Sequence, residues 1–154
     1  MPTLTKDGRS FVVRAAVADE LVDLRWRVLR GGMPREAAVF AADHEATTLH
    51  FAAIEQGDRT VSCATFHLNQ WNEEPAYQLR GMATDPDCRG FGLGRALLLL
   101  AEEEVLRTSA IHLLWCNARE PAIGFYQKLG WEVRSDLFEI PTAGPHKKLV
   151  RRLV

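Results

Sequence analysis

At 154 residues the chain fits a single domain, 1–154, long enough for one substantial core and short for two. Hydrophobic residues at 47%, charged residues at 25% and a formal net charge of −1 give an ordinary soluble composition, without the basic excess of a nucleic-acid binder. The apolar runs AAVFAA and ALLLLA fall far short of a bilayer span, the first residues lack a charged-then-apolar targeting pattern, and Cys63, Cys88 and Cys116 without a secretory signal point to a reducing cytoplasm.

Phe11 to Ala16 reads as a short strand. Asp19 then precedes a helical pattern with Leu21, Leu24, Val28 and Leu29 on one face, which Gly31 and Gly32 end. A second short helix is expected from Arg35 to Ala42, and DHEATT beyond it is loop-like. Leu49 to Glu55 and Thr60 to Leu68 are β-rich runs on either side of QGDR, a hairpin of the longer-loop type. NQWNEEPA is too polar and turn-rich for a strand, and the next strand is LRGMAT, Leu79 to Thr84. After a glycine-rich turn, Ala96 to Ala101 begins a helix. Ile111 to Cys116 must then be a buried strand parallel to the one ending at Thr84, because a helix joins them. Pro121 suits the start of a further helix, Gly130 its C-terminal cap, and Ala122, Phe125 and Leu129 its inward stripe. Two last strands are expected near Trp131 to Val133 and Lys147 to Leu153.

The glycine-rich turn carries the chemistry. Gly90, Gly92 and Gly94 let the backbone between Arg89 and Arg95 take φ > 0 with nothing bulky shielding its amides, so its N–H groups can face a ligand. The helix that follows adds unpaired N–H groups and the positive end of its dipole. An anion belongs there, most plausibly a phosphate. A P-loop would need Lys and then Ser or Thr after the last glycine, where Arg95 and Ala96 stand. A dinucleotide fingerprint fails too: the sixth position from Gly90 is Arg95, and no acidic residue follows at about 20 residues to hold a ribose.

The pattern R-x-x-G-x-G, met by Arg89, Gly92 and Gly94, resembles that of the GNAT (GCN5-related N-acetyltransferase) superfamily. LRGMATDP is similar to that family's fourth strand, and NAREPAIGFYQKLGW, Asn117 to Trp131, resembles its N-x-x-A-x-x-F-Y-x-x-x-G-F signature with Trp131 in the final aromatic place. Two motifs in the family order, separated by one helix and one strand, make the resemblance specific over the C-terminal half. It implies an α/β fold: a mixed, mostly antiparallel sheet of about seven strands, splayed between the fourth and fifth, with helices on both faces. It also implies acetyl-coenzyme A as co-substrate and transfer of the acetyl group to a primary amine by direct attack.

On that resemblance the pyrophosphate goes to the turn of Arg89, Gly90, Phe91, Gly92, Leu93, Gly94 and Arg95, and the pantetheine arm to the open strand edge at Met82, Ala83 and Thr84. Gly81 is compatible with the family's bulge, which aims a backbone N–H, here assigned to Met82, at the thioester carbonyl; an ordinary strand glycine is the alternative. Asn117 matches the residue that contacts the arm, with a turn-capping role as the plainer reading. Tyr126 matches the general acid; a Tyr beside Phe125 otherwise reads as packing. The first helix borders the acceptor site, making Arg25, Arg27 and Arg30 candidates for an anionic substrate against a solvated face. The NQWNEEPA connection, with Trp71, Glu73 and Glu74, faces substrate in the family.

The sequence departs from better-understood relatives at Gln78, which stands where many carry a Glu base. Deprotonation is left to Asp43, His44, Glu45, Glu73, Glu74 or water. His112 with Cys116 and Cys63 with His67 are spaced about 13 Å along a strand, too far to share a metal, so none is expected. An acyl-cysteine at Cys116 has no base-and-orienter pattern behind it. Glu102 to Glu104 reads as a solvated helix face, and the Lys147, Lys148, Arg151, Arg152 cluster as a wet sheet face. The rival to catalysis is an acyl-coenzyme A sensor that kept the cleft. The acceptor is a small-molecule or protein amine, with no nucleic-acid or membrane partner, and a homodimer stays open.

Overall fold

In the middle of Leu49–Glu55 (β3) and Arg59–Leu68 (β4) consecutive side chains are buried, because both faces of the sheet are covered there. Phe51, Ala53, Ala64 and Phe66 enter one core, while Ala52 and Cys63, the alternate residues, enter another. The computed structural model describes residues 2–154. Its remaining strands are Thr3–Lys6 (β1), Arg9–Ala16 (β2), Tyr77–Thr84 (β5), Leu113–Arg119 (β6), Glu132–Val133 (β7), Phe138–Ile140 (β8) and Gly144–Arg152 (β9). They form one sheet in the order β1-β2-β3-β4-β5-β6-β9-β7, with β8 also on β9, and only β5 and β6 run parallel.

The seven expected strands are all present, and nine strands form because β1 and β8 join them. Neither addition has a legible pattern: β1 is a mostly exposed edge and β8 has three residues.

Val22–Leu29 (α1) covers one face and Leu93–Thr108 (α2) the other. Asp19 is not the cap of α1. It lies in a 3-10 turn, Ala18–Glu20, where the Glu20 carboxylate accepts the Val17 N–H at 2.9 Å. The expected second helix shrinks to a 3-10 turn, Arg35–Ala38. In α2, Leu93, Leu97, Leu98, Ala101 and Val105 form the buried face, and Glu102 joins them. Glu102 is therefore not solvated; Arg151 from β9 reaches its Oε1 at 3.2 Å. Pro121 sits in a 3-10 turn ahead of Ile123–Lys128 (α3), and this delays the helical phase. Tyr126 consequently points inward against Trp131, with ring centroids 5.4 Å apart, while Phe125, expected inside, is 37% exposed.

Two features of β5 create the functional cleft. First, β4 pairs Cys63 with Ala83 and Thr65 with Arg80, so β5 carries one extra residue at Gly81 and Met82. This is a β-bulge. Gly81 takes φ 63°, and a Cβ there would lie 2.6 Å from Phe40 Cε2 and 3.1 Å from Arg25 Nε, so no other residue fits without displacing both. Second, the β5–β6 ladder runs only from Tyr77↔Leu114 to Leu79↔Cys116. Past Leu79 the strands diverge, and the β6-facing edge of β5 has no strand partner.

Candidate functional site

The divergence opens a cleft with two mouths. The wider, about 660 Å³, lies between the end of β5, the glycine turn and α3, and is lined by Met82, Ala83, Thr84, Arg89, Gly90, Gly92, Leu93, Gly94 and Arg95, with Phe125 and Tyr126 opposite. Gly90 and Gly92 have φ 85° and 78°, and no atom lies within 4 Å of where a Cβ would stand on either. These glycines thus serve backbone conformation and open approach. Gly94 serves packing, since a Cβ there would meet Met82 Cε and Phe125 Cζ at 3.2 Å. Gly92 immediately precedes α2, so the first N–H groups of a sixteen-residue helix face the same space. Nearby ion pairs engage Arg9, Arg27 and Arg59 with Glu55, Asp85 and Asp87, leaving Arg89 and Arg95 without a carboxylate among the described residues.

The narrower mouth, about 250 Å³, opens on the α1 face and is lined by Arg30, Gln78, Arg80, Gly81, Asn117 and His146, among others. Met82, Arg119, Ala122 and Tyr126 line both mouths, so the two form one passage through the sheet. At the junction the Tyr126 hydroxyl donates to Met82 Sδ at 3.4 Å. Burial, with a smaller contribution from Cys116, pushes this phenol well above its ordinary value of 10.0.

A strand pair that splays after three residues, beside a glycine turn feeding a helix, is the setting in which the comparisons with known proteins become informative. The model of the Acetyltransferase (GNAT) family matches residues 18–131. The chain belongs to the GNAT acetyltransferase family. The Bacillus subtilis (strain 168) protein described as uncharacterized N-acetyltransferase YitI is 32% identical over 144 residues, covering 92% of this chain and 95% of its own. Among solved structures, aminoglycoside 6'-N-acetyltransferase complexed with coenzyme A superposes with TM-score 0.73 at 14% identity, covering 93% and 97% of the two chains. The NatC complex bound to Gag peptide and coenzyme A gives 0.75 at 13%, covering 94% and 99%. The fold is the GNAT fold, and acetyl-coenzyme A is the co-substrate of this family of N-acetyltransferases.

Against the GNAT expectation, the cofactor residues fall together with two exceptions. The Phe91 ring turns away to pack on Phe11, centroids 5.4 Å apart, so only its backbone belongs to the turn. Asn117 lies inside β6 rather than at its end, and on the narrow-mouth side, where its Oδ1 accepts Lys148 Nζ at 3.1 Å. This excludes the turn-capping role, and Lys148 is half-buried over Trp115 and Phe138 rather than on a wet face.

The expected acceptor-side residues separate further. Arg25 is wholly buried, forked onto Asp43 at 2.7 and 3.1 Å and donating to Thr65 Oγ1 at 2.7 Å, so it cannot meet substrate. Asp43 fails as a base for the same reason. Burial pushes its carboxyl up, but Arg25 and the Phe40 N–H more than offset this and hold it below 3.8. Arg27 pairs with Asp85 at 2.9 Å, and of the three arginines only Arg30 reaches the cleft. His44 and Glu45 are exposed in the loop after Phe40 and outside the cleft lining. The 69–76 connection caps the opposite end of β5: Trp71 packs on Trp115 at 5.6 Å, Glu74 pairs with Arg152 at 2.8 Å, and Glu73 is exposed. It does not face the cleft, because β5 starts at the closed end of the splay.

Gln78 does line the narrow mouth. Its Oε1 receives Asn69 Nδ2 at 2.9 Å and lies 3.1 Å from His67 Nε2, whose pKa is lowered, chiefly by burial. Three cleft residues carry no mark in the sequence: Arg80, Arg119 and His146. The His146 Nδ1 lies 2.8 Å from the Gly144 carbonyl, which can only accept, so Nδ1 carries a proton. Strand alternation puts Arg119 beside His146 and on the face of Gln78, a signal that needed the β6–β9 register to be read.

Proposed function

We propose that residues 1–154 form one catalytic domain that acetylates a primary amine by direct attack, in a single ternary complex. Acetyl-coenzyme A supplies a thioester carbon to which the C–N bond forms as the C–S bond breaks. The amine loses a proton, and the departing sulfur gains one. The glycine turn with Arg89 and Arg95 suits a pyrophosphate, and its open positive-φ glycines form a cradle that a Cβ would obstruct. The unpartnered edge of β5 suits an extended amide-bearing arm, which can hydrogen-bond as an added strand. The bulge at Gly81 frees the Met82 N–H region to stabilise negative charge on the carbonyl oxygen.

The observation that carries the reading is the Tyr126 hydroxyl at the junction of the two mouths, held on a sulfur that is a weak acceptor. Its raised pKa keeps it protonated at neutral pH, as an acid must be, and able to donate to a leaving thiolate. Among the described residues no carboxylate lines either mouth, so the amine loses its proton to water. A reducing, cytoplasmic setting agrees with three free buried cysteines.

The test is Tyr126→Phe under saturating substrates. With a panel of primary amines, the parent should release free thiol in step with N-acetyl product, and the variant should lose about 10²-fold in kcat with an unchanged acetyl-coenzyme A dissociation constant. Turnover within about twofold of the parent would remove Tyr126 from the mechanism. Tight cofactor binding with no thiol release from any amine would favour the sensor reading.

A further inference from the structure

Among the described residues, the narrow mouth is lined by cations and by no carboxylate. The one carboxylate beneath it, Asp43, is consumed by Arg25. Arg30 donates only to the Leu29 carbonyl, at 3.2 Å, and neither Arg80 nor Arg119 has a side-chain acceptor among the described residues. Three guanidiniums crowd the Phe40 ring: Arg25 at 4.0 Å, Arg80 at 4.6 Å and Arg30 at 5.7 Å from its centroid. On the same face Lys148 is tied to Asn117. Such a cluster is self-repelling. Burial lowers the pKa of both Arg30 and Arg80, and neighbouring guanidiniums lower each further: Arg119 and Arg25 for Arg30, Arg30 and Arg25 for Arg80. Arg80 and Arg119 are exposed and Arg30 is half-buried, so these charges stand at the rim of the cavity without carboxylate partners, where a ligand can bring the missing charge.

We propose that the acceptor is a small primary amine that also carries an anionic group, a carboxylate or a phosphate, which Arg30, Arg80 and Arg119 hold while its amine points through the sheet toward Tyr126. A cavity of about 250 Å³ is below the usual range for drug-sized ligands, which fits a compound of amino-acid size. A polycationic acceptor is repelled by the same wall. Arginine suits the task because its planar fork binds carboxylate or phosphate through two parallel hydrogen bonds.

The inference rests on the acetyltransferase reading for the amine's direction, so its test reads binding as well as turnover. Free amino acids are compared with their amides, phosphoethanolamine with ethanolamine, and an aminoglycoside serves as the polycation. Binding is measured calorimetrically with coenzyme A present, and turnover by thiol release. The anionic member of at least one pair should bind about tenfold or more tightly than its neutral partner, and the pair with the larger ratio identifies carboxylate or phosphate. Arg80→Gln and Arg119→Gln should each reduce that ratio about tenfold, with cooperative thermal unfolding at the parent's midpoint checking that each variant is folded. Equal binding within both pairs, preference for the aminoglycoside, no binding by any probe, or an unchanged ratio in both folded variants would overturn the proposal. If the ratios hold but no amine releases thiol, the anion site stands and the catalytic reading falls.

Discussion

The two mouths of the cleft are built from different materials. The wide mouth is made of backbone: the amides of the glycine turn, the first turn of α2 and the free edge of β5. The narrow mouth is made of side chains brought from α1, β5, β6 and β9. Backbone recognition requires positive φ and missing Cβ atoms, which only glycine supplies, so it leaves a motif in the sequence. Side-chain recognition requires only that a charge arrive at one point in space, and any strand with the right parity can deliver it. A common co-substrate is thus compatible with many acceptors on one fold.

The sharpest way to break this contrast is Gly92→Glu. It forces a Cβ and a carboxylate into open space at φ 78°, where anion-binding amides converge. The 1:1 binding of acetyl-coenzyme A expected of the parent should fall about a thousandfold or more, or by ~4 kcal/mol. Unchanged affinity by calorimetry would show that the wide mouth is not the cofactor site.

Asp43→Ala probes the charge beneath the narrow mouth. Removing the carboxylate leaves the Arg25 guanidinium buried and uncompensated, at an expected cost of about 3–5 kcal/mol in denaturant unfolding. Because the folded pKa of Asp43 is depressed, the stability it contributes is present above the ordinary carboxyl range and is lost as pH falls through the lower folded value. A loss under about 1 kcal/mol would mean that Arg25 finds other partners and is not committed to the brace.

The smallest effect is expected at Gln78. An amide cannot take a proton, so Gln78→Ala should change kcat by no more than about threefold. Activity should rise with pH until the acceptor's own amine pKa is approached. No falling limb from Tyr126 should follow near pH 10, because burial moves its proton loss higher. A pH profile with a lower base pKa, abolished by one carboxylate substitution, would reveal a base in the narrow mouth that the geometry does not suggest.

Legibility followed the same division. Arg89, Gly92 and Gly94 marked the wide mouth because local spacing dictates local backbone. Tyr126 stands out by its motif, but the exposure of Phe125 does not, since the 3-10 turn at Glu120–Ala122 shifts the helical phase that would put Phe125 inside. Asp43, at the head of the loop-like DHEATT stretch, is buried because Arg25, eighteen residues back on α1, pairs with it. Arg80, Arg119 and His146 come together through the bulge register and the β6–β9 pairing, neither of which composition or periodicity encodes.

The seam between β5 and β6 also bears on the order in which the chain folds. The β1–β2, β3–β4 and β4–β5 pairings join consecutive strands across connections of modest length. The β5–β6 pairing must close a crossover containing all of α2, with only three residue pairs to offset the greater loop entropy. We therefore expect the seam to form after the hairpins, with pulse-labelled amides of β5 and β6 gaining protection later than those of β3 and β4. Simultaneous protection would contradict this. On this view the line along which the protein works is the line along which it is completed last.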